Sequence, residues 1–131
     1  MRILWQPGAW KQAQYSPMKI LFWNIRGAQK KGVLATLWYM VGNHKFDMVI
    51  LQETHLLQEE AIAFLSKFKR QWEGVFVSNE GRYGGLIIFW RKNNFEVRCI
   101  YKNDQCINCL AKQGNGFPFL ISGIYASTNY K

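Results

Sequence analysis

Two apolar runs that end in polar residues constrain this chain most. Lys19-Ile20-Leu21-Phe22 runs into Trp23-Asn24-Ile25-Arg26-Gly27, and Asp47-Met48-Val49-Ile50-Leu51 runs into Gln52-Glu53-Thr54-His55. Each run reads as a buried strand, so Asn24 and Glu53 fall where a strand's carboxyl end meets solvent. In α/β proteins that rim is where ligands sit. An amide oxygen and a carboxylate together there begin a hard-cation site, because magnesium takes oxygen ligands and usually only one or two carboxylates.

The rest of the chain supports an α/β reading. Val33, Leu37 and Val41, with Leu34 and Trp38, recur at helical spacing, predicting a helix from Lys30 to Val41 stopped by Gly42-Asn43. Ala61, Leu65, Phe68 and Trp72 form a second stripe and predict a helix from Gln58 to Lys69. After it come short β segments: Gly74 to Ser78, Gly85 to Trp90, Phe95 to Tyr101, Gln105 to Ala111 and Phe117 to Tyr125. Turn chemistry separates them at Asn79-Glu80-Gly81, Asn93-Asn94, Asn103-Asp104 and Gly114-Asn115-Gly116.

Composition narrows the class. A length of 131 residues suits one small domain, and 49% hydrophobic content with six Trp and nine Phe excludes intrinsic disorder. No run approaches the roughly 20 apolar residues of a membrane span: the uncharged stretch from Phe117 to Tyr130 is broken by Pro118, Gly123 and several polar residues. Pro7 and Gly8 interrupt the apolar start before a signal-peptide core forms. A nuclear or cytoplasmic chain with no membrane partner is the expectation. The three cysteines, Cys99, Cys106 and Cys109, are an odd number, and no further ligands complete Cys106-Ile107-Asn108-Cys109 as a zinc knuckle. They read as reduced thiols in or beside a strand.

Seventeen Lys and Arg against eight acids give a net charge of +9, which attracts polyanions at low salt. Lys67, Lys69 and Arg70 read as cations at a helix end. Lys30 and Lys31 follow the Asn24 block; a phosphate-contact role and a plain solvated surface are equally open for them.

Four blocks in order carry a family resemblance: Met18 to Gly27, Phe46 to Leu56, Gly84-Gly85-Leu86-Ile87-Ile88-Phe89-Trp90, and Gly123-Ile124-Tyr125-Ala126-Ser127. The chain resembles the endonuclease/exonuclease/phosphatase (DNase I-like) superfamily. It is most similar to the apurinic-type endonuclease domain at the front of non-LTR (LINE-type) retrotransposon polyproteins of plant type. The resemblance implies a four-layer α/β/β/α sandwich truncated at the C-terminus, with residues 18–131 as a partial domain and residues 1–17 as an extension outside it. By position it makes Asn24 the amide near the phosphate, Glu53 the ligand of a weakly held magnesium ion, and Tyr125 a hydroxyl near the scissile phosphate. A buried strand aromatic is an equally open reading of Tyr125. His55 is expected to play a surface role.

The implied reaction is metal-assisted attack of water on a phosphodiester. The family's later blocks, Gly-Asp-Phe-Asn-like and Ser-Asp-His-like, carry the water-orienting acid and the general base, and neither is present. The expectation is therefore a catalytically inactive N-terminal fragment that binds DNA weakly and without sequence preference. A further expectation is that the chain supplies about one sheet and its helices, leaving a sheet face exposed to drive self-association or aggregation. Two other classes stay open: a non-catalytic basic nucleic-acid-binding module, and an interaction protein that offers the open face to another half-domain.

Overall fold

In a computed structural model, residues 18–78 and 84–125 are described. They form β1 (Ile20–Asn24), α1 (Val33–Asn43), β2 (Met48–Gln52), α2 (Gln58–Ser66), β3 (Trp72–Val77), β4 (Leu86–Arg91), β5 (Glu96–Asn103), β6 (Cys106–Lys112) and β7 (Phe119–Ile124). The strands make two sheets, a four-stranded one in the order β1-β2-β4-β3 and a three-stranded one in the order β5-β6-β7. β1 and β2 are parallel, joined by the α1 crossover, and the remaining pairs are antiparallel. The architecture is a mixed α/β half sandwich.

Both faces of the larger sheet are buried. On one side, Leu21, Val49, Leu51, Ile87 and Phe89 pack with Leu37 and Val41 of α1 and with Ala61, Phe64 and Phe68 on and just beyond α2. On the other, Met48, Ile50, Leu86, Ile88 and Trp90 meet Ile107, Cys109, Ala111 and Ile121 of the smaller sheet. Gly123 lets β7 lie flat on its neighbour, since a Cβ there would come within 3.2 Å of both Ile50 and Ile88.

This packing corrects the expectation of a single sheet with one bare face. The segments after β4 turn back as a meander and cover it, forming three layers rather than two. Strand patterning reveals that Leu86 to Phe89 are buried on both faces, but not which later strands do the covering. The exposed apolar surface lies elsewhere: Leu120 and Ile124 of β7 are each 60% exposed, and Phe22 of β1 is 58% exposed.

Element ends moved for local reasons. α1 begins at Val33 rather than Lys30 because Gly32 adopts a left-handed φ of 87° at its N-cap, which places Lys30 and Lys31 in the preceding turn. α2 starts at Gln58 as expected, with the Leu57 N–H donating to Glu60 Oε1 at 2.9 Å in the first turn. It ends at Ser66, and three-residue turns such as Phe68 N–H to the Leu65 carbonyl (2.9 Å) carry the chain to β3. His44 caps α1 through its N–H to the Met40 carbonyl. The expected turn at Asn79-Glu80-Gly81, residues 1–17 and the end of the Gly123 to Ser127 block lie outside the described residues.

Several basic side chains serve the scaffold. Arg91 is half-buried, stacks 4.5 Å from the Trp72 ring, and donates to the carbonyls of Phe46 (2.8 Å) and Val41 (3.2 Å). Lys92 Nζ donates to the Lys69 carbonyl at 2.7 Å.

Candidate metal and phosphate centre

Parallel pairing of β1 with β2 sets Asn24 opposite Gln52, so both strands end on the same rim. Beyond the strands, three loops are stitched together by backbone hydrogen bonds. Ile25 N–H donates to Gln52 (3.0 Å), Gly27 N–H to Glu53 (2.8 Å) and Ala28 N–H to Thr54 (2.8 Å). From the far side, His55 N–H donates to the Gly84 carbonyl at 2.9 Å and Thr54 N–H to Gly85 at 3.3 Å. These bonds hold the rim rigid before any ligand arrives.

Strand alternation alone would separate the two candidate ligands. Asn24 shares the Ile20 face of β1, which looks toward the smaller sheet, whereas Glu53 continues the Val49 and Leu51 alternation, which looks toward the helices. Glu53 escapes this by taking a left-handed backbone at φ 54°. Asn24 Nδ2 then donates to Glu53 Oε2, while Glu53 Oε1 lies 3.8 Å from His55 Nε2. Arg26 (φ 47°) and His55 (φ 55°) share this unusual conformation. Non-glycine residues held there cost of order 1–3 kcal/mol each and gather at functional sites.

The expected site residues are only partly brought together. Asn24 and Glu53 touch. Lys30 lies alongside, since a Cβ on Gly27 would meet its Cε at 3.3 Å and His55 Nδ1 at 3.6 Å; Lys31 is exposed in the turn before Gly32. Tyr125 is half-buried and packs against the core between the sheets, with its N–H on the Gln105 carbonyl at 2.8 Å. Gln52 was missed as a positioning residue. Its Nε2 donates to the Ile124 carbonyl at 2.6 Å and ties the end of β7, next to Tyr125, to the strand that carries Glu53. A polar residue closing the apolar Met48 to Leu51 run was the available signal.

The donor set is sparse. Among the described residues no group of three or more His, Cys, Asp and Glu side chains can hold a metal ion. One carboxylate beside an amide suits a magnesium-like ion, which keeps most of its water and takes few protein ligands, and not a zinc-type cage. A family model, the Endonuclease/Exonuclease/phosphatase family, matches residues 21–127 of the chain.

The chain belongs to the endonuclease/exonuclease/phosphatase family. Its fold is similar to AP endonuclease LMAP from Leishmania major, with TM-score 0.65 and 17% identity over 88% of this chain and 43% of that one. It is also similar to the human Nocturnin catalytic domain with bound sulfate, with TM-score 0.57 and 18% identity over 81% of this chain and 49% of that one. A third is the 3′ phosphatase NExo from Neisseria bound to a product DNA hairpin, with TM-score 0.55 and 21% identity over 79% of this chain and 40% of that one. The chain thus spans less than half the length of these similar structures. A comparison with curated proteins found no match.

Proposed function

We propose that the chain is the N-terminal part of a metal-dependent DNA phosphodiesterase, of the apurinic-type endonuclease branch found in plant non-LTR (LINE-type) retrotransposons. Residues 18–131 form the partial domain and residues 1–17 an extension, and the nucleus or cytoplasm is where such a chain would act. The observation that carries this reading is the Asn24 to Glu53 contact on a rigid rim, reached only because Glu53 adopts a left-handed backbone. Two similar structures were solved with DNA products, NExo and D. rerio TDP2, which supports DNA as the partner.

In this reading Glu53 would hold a magnesium ion, which would supply Lewis-acid chemistry at the phosphodiester. Asn24 orients the Glu53 carboxylate and presents its amide to the phosphate. Lys30 and Lys31 attract the flanking backbone, and the Tyr125 hydroxyl approaches the phosphate from the β7 side. None of these groups is placed to activate water. A positioned general base typically contributes about 10²–10⁴ in rate, so this stretch by itself should not turn over.

The test joins this chain to the remaining portion of a full-length relative's domain. Magnesium-dependent nicking of supercoiled DNA should appear in the joined protein, vanish with Glu53→Ala, and be absent from the chain alone. Nicking by the joined protein that survives Glu53→Ala would refute the site. A second reading, a non-catalytic nucleic-acid-binding module, is favoured by the closed core between the sheets and the +9 charge; salt-sensitive DNA binding by the chain without any dependence on metal or Glu53 would select it.

A further inference from the structure

We propose that Cys99 and Cys109 form a reversible disulfide site that takes a small disulfide such as oxidised glutathione as its oxidant and links β5 to β6. The two cysteines are direct cross-strand partners in the β5–β6 register. The phase of the ladder decides how close they come. Tyr125 N–H donates to the Gln105 carbonyl across the β6–β7 register, so alternate residues from Gln105, including Cys109, turn their backbone groups toward β7. Toward β5, Cys109 therefore sits in a non-hydrogen-bonded pair, the closely spaced kind with Cα atoms about 4.5 Å apart. A disulfide requires roughly 4.4–6.8 Å.

The side chains agree with the backbone. Direct cross-strand pairing puts both side chains on the same face of the sheet, and Cys99 Sγ lies 3.7 Å from the Tyr101 carbonyl at the register shift that follows it. Cys99 is exposed on the edge strand, whereas Cys109 is buried. Cys106 lies an odd number of residues from Cys109 and so faces the opposite side of β6. It does not compete for the link.

Accessibility orders the chemistry. The Cys99 thiolate attacks one sulfur of glutathione disulfide, breaking the S–S bond and releasing one glutathione thiolate. The Cys109 sulfur, giving up its proton, then attacks Cys99 in the mixed disulfide and releases the second glutathione. Two protein thiols are oxidised and one glutathione disulfide is reduced to two thiols. Burial, with the adjacent Cys99, pushes the Cys109 thiol up to about 12, so its displacement is the slow step.

The experiment incubates the full chain with glutathione disulfide, alkylates it, and reads intact mass and a peptide map. Free thiols should fall from three to one, with a Cys99–Cys109 linked peptide that dithiothreitol reverses. Cys106→Ser should leave the link unchanged. Cys99→Ser should abolish it, and Cys109→Ala, which keeps the site apolar, should trap a glutathione adduct on Cys99. A persistent adduct on Cys99 of the unsubstituted chain, or a linked peptide containing Cys106, would overturn the proposal.

Discussion

The Asn24 amide donates to the Glu53 carboxylate across 29 residues of sequence, at the ends of two parallel strands. Glu53 reaches that position at a conformational cost, which ties stability and ligand binding together in opposite senses. Glu53→Gly should relieve the left-handed strain and raise stability by about 1 kcal/mol while abolishing manganese binding. Asn24→Ala should retain binding but weaken it by about tenfold, the loss of one hydrogen bond to a charged group. Urea denaturation and manganese electron paramagnetic resonance titration measure the two effects separately.

Gly85 has φ 93°, and a Cβ there would lie 2.3 Å from Thr54 Oγ1. Thr54 is buried and its backbone is bonded to Gly85, so neither side can yield. Gly85→Ala should destabilise the chain by more than about 2 kcal/mol, seen as a lower urea midpoint at unchanged slope. A loss below half that value would mean that the rim is not rigid.

Arg91→Met keeps much of the stacking on Trp72 but strands the carbonyls of Phe46 and Val41. About 2 kcal/mol should be lost. DNA affinity should barely change, because this guanidinium is committed to the scaffold.

Self-association should depend on the outer face of the smaller sheet. Leu120→Lys and Ile124→Lys alter side chains that are each 60% exposed, so stability should stay within about 0.5 kcal/mol while light scattering reports less oligomer and hydrophobic dyes bind less. Unchanged association would place the sticky surface elsewhere, with Phe22 the next candidate.

DNA binding by the chain should weaken as salt rises. Lys30→Ala and Lys31→Ala should each reduce the slope of log affinity against log salt by about 1 if that residue contacts a phosphate. Fluorescence anisotropy over a salt series checks each lysine, and an unchanged slope would assign it to the solvated surface.

The amino-acid sequence by itself determined the α/β class, the two helices and every described strand to within a few residues, because apolar period and turn residues are local properties. It also determined that Asn24 and Glu53 end their strands. Only the tertiary structure decided what those local pieces do together. Alternation sends Glu53 toward the helices, and only the loop-to-loop hydrogen bonds around Gly27, Thr54 and Gly85 over-determine a left-handed backbone that returns its carboxylate to Asn24. The covering of β4 by β6 and β7, the tether from Gln52 to Ile124, and the juxtaposition of Cys99 with Cys109 are likewise matters of register between strands. Register is set by which apolar faces can be buried against each other, and that information is carried by distant segments rather than by any one of them.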